Sequence, residues 1–238
     1  MPPDANLRIE HLTKRFGRMT ALDDVSFSIR QGEVLGLIGP NGAGKTTLFE
    51  CLGGVLPFDS GRVCQGGSAL GASDLSRRVF YLPDGIAPWP AQTVRWALDF
   101  TLGYFGGPAE PRDEIVRQLA LAPLLDSPIG TLSKGQRKRT LLAIGLLTPQ
   151  PILLADEPFD GLDLRQTRDV ARTLRARVAA GRTLFLSIHQ IADAERVCDR
   201  FVLLSGGRVC GEGTHVELAG STASASGRDL EEVFLALT

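Results

Sequence analysis

The sequence predicts an α/β fold with a mixed sheet that has a parallel core and an antiparallel flank. Four continuous apolar runs are typical of strands buried on both faces of a parallel sheet: residues 34–38, 151–155, 183–188 and 200–204. Helical patterns separate the later runs, most clearly over residues 164–180 and 191–198. Residues 7–10 and 25–29 instead alternate apolar and polar side chains, which favours half-buried antiparallel strands. An alternation of buried strands and helices indicates an α/β domain.

A helical lobe is predicted over residues 85–147, where this alternation stops. The segment has Leu- and Ala-rich helical stretches and no clear strand. All the tryptophans and tyrosines of the chain lie within residues 81–104, and Phe80, Phe100 and Phe105 lie with them. Two interpretations stay open: these aromatic residues form the core of the lobe, or they line an exposed groove that receives a helix of a partner protein.

The predicted organisation is one domain over residues 1–220, followed by a linker and a short helix over residues 221–238. The domain divides into two core segments and the inserted lobe, which are residues 1–84, 148–220 and 85–147. Small residues form the linker at 221–227. Asp229 is then expected to cap a helix whose apolar face comprises Leu230, Val233, Phe234 and Leu237. That helix either packs against its own domain or docks on a partner.

Composition excludes some classes of partner and site. The net charge of −1 provides no basic field that would attract nucleic acid, so no nucleic-acid partner is expected. The four cysteines have no CxxC pair and no zinc-site spacing, which favours reduced thiols in a cytoplasmic protein. No apolar stretch approaches the roughly 20 residues that cross a bilayer. If the protein works at a membrane, another chain is expected to supply the spanning helices.

The loop over residues 39–47 predicts a purine nucleotide site, with ATP as the ligand. It follows the apolar run at 34–38 and leads into a predicted helix. Its glycines leave backbone N–H groups free to bind phosphate, and the helix N-terminus adds partial positive charge. Lys45 is placed to bind the β- and γ-phosphates, and the hydroxyl of Thr46 is placed to hold Mg²⁺. The predicted nucleotide-binding residues of the loop are Asn41, Gly42, Gly44, Lys45, Thr46 and Thr47.

Three polar residues follow two other buried strands and would make the site hydrolytic. The run at 151–155 leads to Asp156 and Glu157, and the run at 183–188 leads to His189. Ligands of open α/β sheets lie beyond the carboxyl ends of the strands, so these side chains are expected beside the loop. Asp156 is suited to hold Mg²⁺, Glu157 to deprotonate the attacking water, and His189 to reach the γ-phosphate or that water. The predicted catalytic residues are therefore Lys45, Glu157 and His189.

Five motifs together give the chain a resemblance to nucleotide-binding subunits of the ATP-binding cassette (ABC) family. In chain order they resemble the Walker A loop (39–47), the signature motif (132–136), the Walker B strand (152–157), the D-loop (161–163) and the switch histidine (His189). The resemblance covers residues 7–218 with the motifs in the family's order. It implies a P-loop NTPase core, with ATP and Mg²⁺ as the bound species.

The resemblance also implies that each ATP site is shared between two subunits of a head-to-tail dimer. Ser133, Gly135 and Gln136 of the signature motif would complete the site of the other subunit, against the γ-phosphate. Asp163 of the D-loop would lie at the dimer seam. Phe16 matches the aromatic residue that stacks on adenine in the family.

The function implied by the resemblance is that of an energy-coupling ATPase of a membrane transporter. ATP would close the dimer with a second copy or a paralogue, and hydrolysis would reopen it and drive a separately encoded transmembrane permease. Residues 230–235 resemble the tail of the drug- and polysaccharide-export branch, which favours export. The subunit would then be cytoplasmic and peripheral on the inner face of the cell membrane. Two alternatives stay open: a soluble ABC ATPase acting on ribosomes or nucleic acid, and a weakly hydrolysing regulatory module.

Two positions depart from the family pattern. Asp84 stands where the family has a glutamine that touches Mg²⁺ or the attacking water. Either Asp84 stabilises a turn at residues 83–85, or it contacts Mg²⁺ itself and alters the hydrolysis rate and the metal dependence. Lys134 replaces a glycine of the signature motif, and it is expected to project from the helix start without blocking Ser133.

Overall fold

Ten strands form two sheets in the described part of the chain. The computed structural model describes residues 5–106, 110–220 and 230–237. In chain order the strands are β1 (Ala5–Phe16), β2 (Met19–Arg30), β3 (Val34–Ile38), β4 (Ser60–Gln65), β5 (Ser68–Ala69), β6 (Val79–Leu82), β7 (Ile152–Asp156), β8 (Thr183–Ser187), β9 (Arg200–Ser205) and β10 (Arg208–Gly213). The four apolar runs of the sequence correspond to β3, β7, β8 and β9, which confirms the predicted buried strands.

The antiparallel flank is a sheet of its own. Its strands lie in the order β2-β1-β4-β5, and every neighbouring pair is antiparallel. The alternating pattern of β1 and β2 buries one face, which includes Leu7, Ile9, Val25, Phe27 and Ile29. These side chains share one hydrophobic cluster with Leu35 and Phe185 of the second sheet. The flank is therefore fixed to the rest of the domain by apolar packing.

The second sheet brings the predicted site residues to one edge. Its order is β10-β9-β3-β8-β7-β6, with parallel pairing from β9 to β6 and antiparallel pairing of β10. Every residue of β3, β7 and β8 is buried, which is why these strands are continuous apolar runs. Since β8 lies between β3 and β7, the loops that follow these three strands leave the sheet side by side.

The helices of the described residues lie between these strands and in the lobe. They are α1 (Lys45–Leu52), α2 (Ala72–Arg78), α3 (Val94–Phe105), α4 (Glu110–Gln118), α5 (Lys134–Leu147), α6 (Leu164–Ala179), α7 (Ile191–Val197), α8 (His215–Gly220) and α9 (Leu230–Leu237). The long helices α5 and α6 begin at capping side chains, because Ser133 and Asp163 accept hydrogen bonds from backbone N–H groups of the first turn. The predicted α/β class with a mixed sheet is confirmed.

Helices α3, α4 and α5 occupy the segment that the sequence assigns to a lobe. Its interior is aliphatic, with Val94, Leu98, Ile115 and Leu142 fully buried. These side chains belong to one hydrophobic cluster that continues into Leu153 of β7 and Leu184 of β8. Helix α5 makes this connection, since it packs against β6 and β7 as well as against α3 and α4.

The interpretation of the aromatic residues as the core of the lobe is wrong for four of them, whereas Phe80 packs against the cluster that fills the lobe. Trp89, Trp96, Phe100 and Tyr104 are 40, 37, 43 and 75 % exposed. The Trp96 and Phe100 rings stack with centroids 5.0 Å apart, the Trp89 ring meets both edge-on, and Tyr104 continues the stack. Residues 96, 100 and 104 are four apart, so they lie along one face of α3. These four residues are called the aromatic strip below.

The C-terminal helix α9 packs against its own domain, where it contacts α7 and α8. Leu230 is buried, and Phe234 is half-buried against the same cluster that fills the lobe. Of the two interpretations of this helix, the structure therefore has the intramolecular one. Outside the described residues lie the predicted linker, its cap and two side chains of the predicted apolar face: 221–227, Asp229, Val233 and Leu237.

The structure also describes the state of the cysteines and the lengths of the helices. All four cysteines are free thiols, with Cys51 and Cys64 buried. Burial raises the pKa of the Cys51 thiol to about 11, which keeps it protonated and unreactive. Among the described helices, none combines the length and the hydropathy that a membrane crossing needs.

Candidate nucleotide site

The turn after β3 has the backbone that a phosphate-binding loop needs. Gly42 and Gly44 have φ angles of 81° and 103°, in the region that glycine enters without strain. A Cβ atom on Gly39 would lie 2.3 Å from the carbonyl oxygen of Leu204, so the loop passes β9 too closely for a side chain there. The glycines therefore leave the backbone of the loop without side chains at three of the six positions before α1 begins at Lys45.

Lys45 holds its ammonium group inside this loop. The residue is only 8 % exposed, and its Nζ donates hydrogen bonds to the carbonyl oxygens of Gly39 and Pro40 over 2.7 and 3.3 Å. The ammonium thus lies among the backbone groups of the loop, at the N-terminus of α1. Its charge adds there to the partial positive charge of the helix, which favours an anionic ligand.

A cavity of about 920 Å³ opens beside the loop, and we call it the nucleotide cavity. This volume lies in the range of roughly 300–1,000 Å³ that small-molecule and cofactor sites occupy. Nine predicted site residues line it: Asn41, Gly42, Gly44, Lys45, Thr46, Thr47, Asp84, Asp156 and Glu157. The sheet order explains this convergence, because the loops after β3, β6 and β7 all open at the same edge.

Asp156 is the polar end of the buried strand β7, and hydroxyl groups hold both of its carboxylate oxygens. Oδ2 accepts a hydrogen bond from Thr46 Oγ1 over 2.9 Å, and Oδ1 accepts one from Ser187. A hydroxyl and a carboxylate next to a phosphate loop are the hard oxygen donors that Mg²⁺ prefers, with phosphate and water as its further ligands. The residues present therefore fit this ion. The described residues contain no cluster of three or more His, Cys, Asp or Glu side chains that could hold a metal.

Glu157 combines a strained backbone with a raised pKa. Its φ angle is 49°, which is uncommon for a residue with a side chain and is often found at functional sites. Its N–H donates to Ser187 Oγ over 3.0 Å, and its carboxylate accepts a 3.0 Å hydrogen bond from the backbone N–H of His189. Burial raises the pKa of the Glu157 carboxyl, and the charge of Lys45 offsets part of this effect. A carboxylate with a raised pKa is a better proton acceptor than an exposed one.

A second cavity of about 440 Å³ adjoins the first at Asn41 and Glu157, which line both. Its other walls come from the D-loop, the start of α6 and the segment that contains His189. The structure thus brings His189 to Glu157, where the backbone N–H of His189 contacts the Glu157 carboxylate. The proposed reach of the imidazole to a phosphate or to water stays a prediction.

The signature residues do not line the nucleotide cavity of their own chain. Ser133 and Gln136 form a capping box at the start of α5. The Ser133 hydroxyl accepts a hydrogen bond from the backbone N–H of Gln136 over 3.3 Å, and the Gln136 side-chain oxygen accepts one from the backbone N–H of Ser133 over 2.9 Å. Gly135 lies against the D-loop, since a Cβ atom there would be 2.7 Å from the carbonyl oxygen of Gly161. Asp163 is likewise absent from the cavity wall, and its carboxylate caps α6.

Lys134 projects from the start of α5, as the sequence predicts, and pairs with the D-loop segment. Its Nζ lies 2.6 Å from Asp160, and its methylene groups pass over Gly161. Asp160 raises the pKa of the Lys134 ammonium through their hydrogen bond. Ser133 remains exposed beside this pair.

Phe16 does not line the nucleotide cavity, whereas its neighbour across the hairpin does. Phe16 pairs with Met19 where β1 meets β2, and Met19 lines the cavity. The Phe16 ring is 44 % exposed and lies 5.4 Å from the ammonium of Lys14. Stacking of Phe16 on adenine stays a prediction. Met19, whose side chain is flexible, lies in the cavity wall and is not among the site residues that the sequence predicts.

Asp84 forms an ion pair that neither interpretation of the sequence included. Its Oδ1 accepts a hydrogen bond from the ammonium of Lys138 in α5. Lys138 is buried and also donates to the backbone carbonyl oxygen of Asp156 over 3.4 Å. The expected turn is present, with a φ of 70° at Gly85, but the Asp84 carboxylate is held by Lys138. The sequence gives no local signal for Lys138 or Ser187, because nothing near either residue distinguishes it from a surface lysine or a strand serine.

Comparison with known proteins decides the family. The family model described as ABC transporter matches residues 22–160, which is more than half of the chain. This chain belongs to the ABC transporter family. The matched span includes the phosphate loop, the signature helix and the carboxylates at the end of β7, so the predicted resemblance is confirmed.

Relatives of this ABC protein include subunits of transporters that work in opposite directions. The Nod factor export ATP-binding protein I of Ralstonia nicotianae is 37 % identical over 218 residues, covering 89 % of this chain and 68 % of that protein. The cobalt import ATP-binding protein CbiO of Rhodobacter capsulatus is 40 % identical over 218 residues, covering 87 % and 78 %.

A solved structure of an ATP-binding subunit of an ABC transporter is similar along almost the whole chain. Its TM-score is 0.88 at 28 % identity, and the match covers 97 % of this ABC protein and 98 % of that chain. The P-loop NTPase fold is thereby confirmed, as is the assignment as an ATP-binding protein and ATPase.

Proposed function

We propose that this ABC protein hydrolyses ATP with Mg²⁺ and powers export through a separate membrane permease. The observation that carries the proposal is the position of Glu157, whose carboxylate lies where the nucleotide cavity adjoins the second cavity. Lys45, Thr46 and Asp156 line the same nucleotide cavity. Phosphate-binding, metal-binding and basic groups are thus assembled around one space.

Lys45 and the backbone of its loop bind the β- and γ-phosphates of ATP. Thr46 and Asp156 hold Mg²⁺, which supplies positive charge against the phosphate oxygens when bound. Ser187 keeps the Asp156 carboxylate oriented, because its hydroxyl donates to the oxygen that Thr46 does not use. The buried strands β7 and β8 therefore fix the metal-binding carboxylate before the nucleotide arrives.

Glu157 accepts the proton of the attacking water. Burial raises its pKa, and two hydrogen bonds hold it in one orientation: its N–H donates to Ser187, and its carboxylate accepts from the N–H of His189. His189 assists from the second cavity, where its side chain can reach the γ-phosphate or the same water. General-base catalysis of this kind contributes roughly 10²- to 10⁴-fold to a rate.

A second subunit completes each site. Ser133, Gly135, Gln136 and Asp163 do not line the nucleotide cavity of their own chain, so any contact they make with ATP is with the nucleotide of another subunit. Ser133 is exposed at the N-terminus of α5, where backbone N–H groups and the helix dipole favour a phosphate. ATP then lies between the loop of one chain and the signature residues of the other, in a head-to-tail dimer with a second copy or a paralogue.

The aromatic strip is the proposed docking surface for the permease. Its side chains are large and mutually stacked, and they are exposed on the lobe. Exposed patches of this kind often mark interaction sites, and tryptophan and tyrosine are enriched in protein interfaces. A helix of the permease that lies on α3 would cover the strip and hold the subunit at the inner face of the membrane.

Export is the direction that most observations support. Residues 230–235 resemble the tail of export subunits, and several relatives carry export in their names. The cobalt import protein is similarly close in sequence, so the direction needs its own measurement.

The first experiment measures phosphate release from ATP with and without Mg²⁺, for the wild type and for Glu157→Gln. The variant is expected to bind a fluorescent ATP analogue but to hydrolyse ATP roughly 10²- to 10⁴-fold more slowly, and to elute as a dimer from gel filtration in ATP. Glu114→Gln removes an exposed carboxylate of α4 and serves as the control. Full activity of Glu157→Gln would contradict the assignment of the base.

The second experiment tests the permease. The subunit is co-expressed with the membrane protein encoded beside it and purified from detergent-solubilised membranes. Co-purification, with ATPase activity that changes in the complex, supports the transporter. Absence from the membrane fraction would instead favour the soluble class of ABC ATPase. Substrate movement in inside-out vesicles then gives the direction.

A further inference from the structure

Lys138 is a buried cation that joins three structural elements at the edge of the nucleotide cavity. It lies in the second turn of α5 and is 5 % exposed. Its ammonium donates to the carboxylate of Asp84, in the turn after β6, and to the backbone carbonyl of Asp156, at the end of β7. The ammonium is therefore held behind the cavity wall and does not line the cavity itself.

The charge of Lys138 matters because carboxylates dominate the cavity wall. Glu50, Asp84, Asp156 and Glu157 line the cavity, whereas Lys45 is the one lysine or arginine among its described lining residues. A triphosphate brings further negative charge, so an unpaired carboxylate in this wall would oppose its binding. An ion pair with Lys138 cancels the charge of Asp84 and removes this repulsion.

The same ion pair determines which oxygen atoms are available to a metal. Thr46 and Asp156 are hydrogen-bonded to each other and form one donor pair. Asp84 lines the same cavity and would be a further donor, but one of its oxygens is engaged by a cation. If the Asp84 carboxylate moved away to bind a metal, the buried ammonium of Lys138 would lose its counter-charge. A buried charge without a counter-charge strongly destabilises the folded state.

We propose that Lys138 is a positioning residue of the ATP site: it holds Asp84 in an ion pair, so that Thr46 and Asp156 are the only side chains that hold Mg²⁺. This inference rests on the proposed function, and it assigns Asp84 a role other than metal contact. The pair also fixes the start of α5, with the signature residue Ser133, against the ends of β6 and β7. Lys138 thereby connects the two surfaces that face ATP in the proposed dimer.

The test is a double-mutant cycle. The measured quantity is the Mg²⁺ concentration that gives half of the maximal nucleotide binding or half of the maximal ATPase rate. It is measured by binding of a fluorescent ATP analogue and, separately, by phosphate release. Asp84→Asn leaves the ammonium uncompensated beside Asp156, so we expect it to raise the required Mg²⁺ concentration about fivefold or more. Lys138→Met frees the Asp84 carboxylate, so we expect a lower Mg²⁺ requirement together with weaker binding of the analogue without metal.

The double variant Asp84→Asn/Lys138→Met separates the two possible roles of Asp84. It carries neither charge, so we expect a Mg²⁺ requirement within about twofold of the wild type. If Asp84 were instead a metal ligand, the double variant would need as much Mg²⁺ as Asp84→Asn, and the inference would be overturned. The double variant leaves no buried unpaired charge, so this comparison with the wild type holds even if a single variant does not fold.

Two further variants distinguish a positioning role from a structural one. Lys138→Arg keeps the charge and is expected to retain the Mg²⁺ dependence of the wild type. Glu33→Gln weakens a different ion pair, in which Arg200 lies 3.1 Å from Glu33; both residues are buried and lie outside the nucleotide cavity. This control is expected to lower stability without moving the Mg²⁺ curve, and an equal shift in it would overturn the inference.

The outcomes also separate this inference from the proposed function. If the wild type releases no phosphate from ATP, the proposed function fails, while the binding titrations still report on Lys138. If the wild type is active and all Mg²⁺ curves superimpose, the inference about Lys138 fails and the proposed function stands.

Discussion

The backbone N–H of His189 donates a 3.0 Å hydrogen bond to the carboxylate of Glu157. Two residues earlier, the hydroxyl of Ser187 accepts the backbone N–H of Glu157 over 3.0 Å. The end of β8 and the segment that follows it therefore hold the backbone and the side chain of Glu157, which explains how its φ of 49° is maintained. The proposed base is oriented by the adjacent strand as much as by its own loop.

Ser187→Ala is expected to lower both stability and activity. Ser187 is fully buried, and its removal leaves an oxygen of Asp156 and the N–H of Glu157 without their partner. Unpaired buried groups of this kind cost about 1–3 kcal/mol of unfolding free energy. Urea unfolding and phosphate release measure the two effects. Ser76→Ala, which removes an exposed hydroxyl of α2, is the control, and an equal response of both variants would contradict this role of Ser187.

Glu157→Gln is expected to be more stable than the wild type at neutral pH. Burial raises the folded-state pKa of Glu157 above its unfolded value, so its contribution to stability is complete below the unfolded pKa and is lost as the pH rises through the folded pKa. The side-chain amide of glutamine does not titrate, so the stability of the variant lacks this pH dependence. Thermal unfolding from about pH 4 to about pH 8 should show an advantage of the variant that shrinks as the pH falls.

The rate of ATP hydrolysis should change with pH in the opposite sense to stability. Glu157 must be deprotonated to accept a proton, so the rate should fall as the pH is lowered through the raised pKa. Glu114→Gln serves as the reference for both measurements, because Glu114 is exposed on α4. A stability difference between Glu157→Gln and the wild type that stays constant across the pH range would refute the raised pKa.

Mixing two inactive variants should restore ATPase activity if the sites are shared between subunits. Lys45→Ala removes a group of the nucleotide cavity, and Ser133→Ala removes a group that lies outside it. In a mixed head-to-tail dimer, one of the two sites has an intact lysine from one chain and an intact serine from the other. Phosphate release by the mixture should therefore exceed that of either variant alone.

The control mixture combines Lys45→Ala with Glu157→Gln. Both residues line the same cavity of one chain, so every site of the mixed dimer lacks one of them. No recovery is expected from this mixture. Equal behaviour of the two mixtures would mean that Ser133 acts within its own chain or not at all.

Substitutions in the aromatic strip should weaken the permease complex without unfolding the subunit. Trp96→Ser and Phe100→Ser remove side chains that are partly in water, so the loss of stability should be moderate, about 0.5–1.5 kcal/mol for each ring pair that is lost. Co-purification with the permease should fall strongly. Val216→Ser, at an exposed apolar residue of α8, is the matched control. Undiminished co-purification of both strip variants would rule out the strip as the docking surface.

Local patterns were sufficient to predict the elements that carry the site. The apolar runs predicted β3, β7, β8 and β9, because a strand buried on both faces needs an apolar side chain at nearly every position. Gly42 and Gly44 marked the loop, since their φ angles are positive. Asp156 and Glu157 were predicted beside that loop from the rule that parallel strands end at one edge. These features depend on residues close together in the sequence.

Other features depend on which elements pack together, and the tertiary structure alone decided them. The aromatic residues of the lobe could have filled its interior, but aliphatic side chains of α3, α4 and α5 occupy that space and leave the strip exposed. Ser187 hydrogen-bonds to Asp156 because β8 lies beside β7 in the sheet. Lys138 pairs with Asp84 because α5 packs on β6.

The sequence by itself thus determined the fold class, the family and most of the nucleotide cavity. The tertiary structure decided what surrounds the carboxylates of Asp156 and Glu157 and which apolar surface faces outward. The physical reason is that backbone preference and hydrophobic periodicity are local properties of the chain. The partner of a buried charge is a property of two distant segments, and it exists only once packing has brought them together.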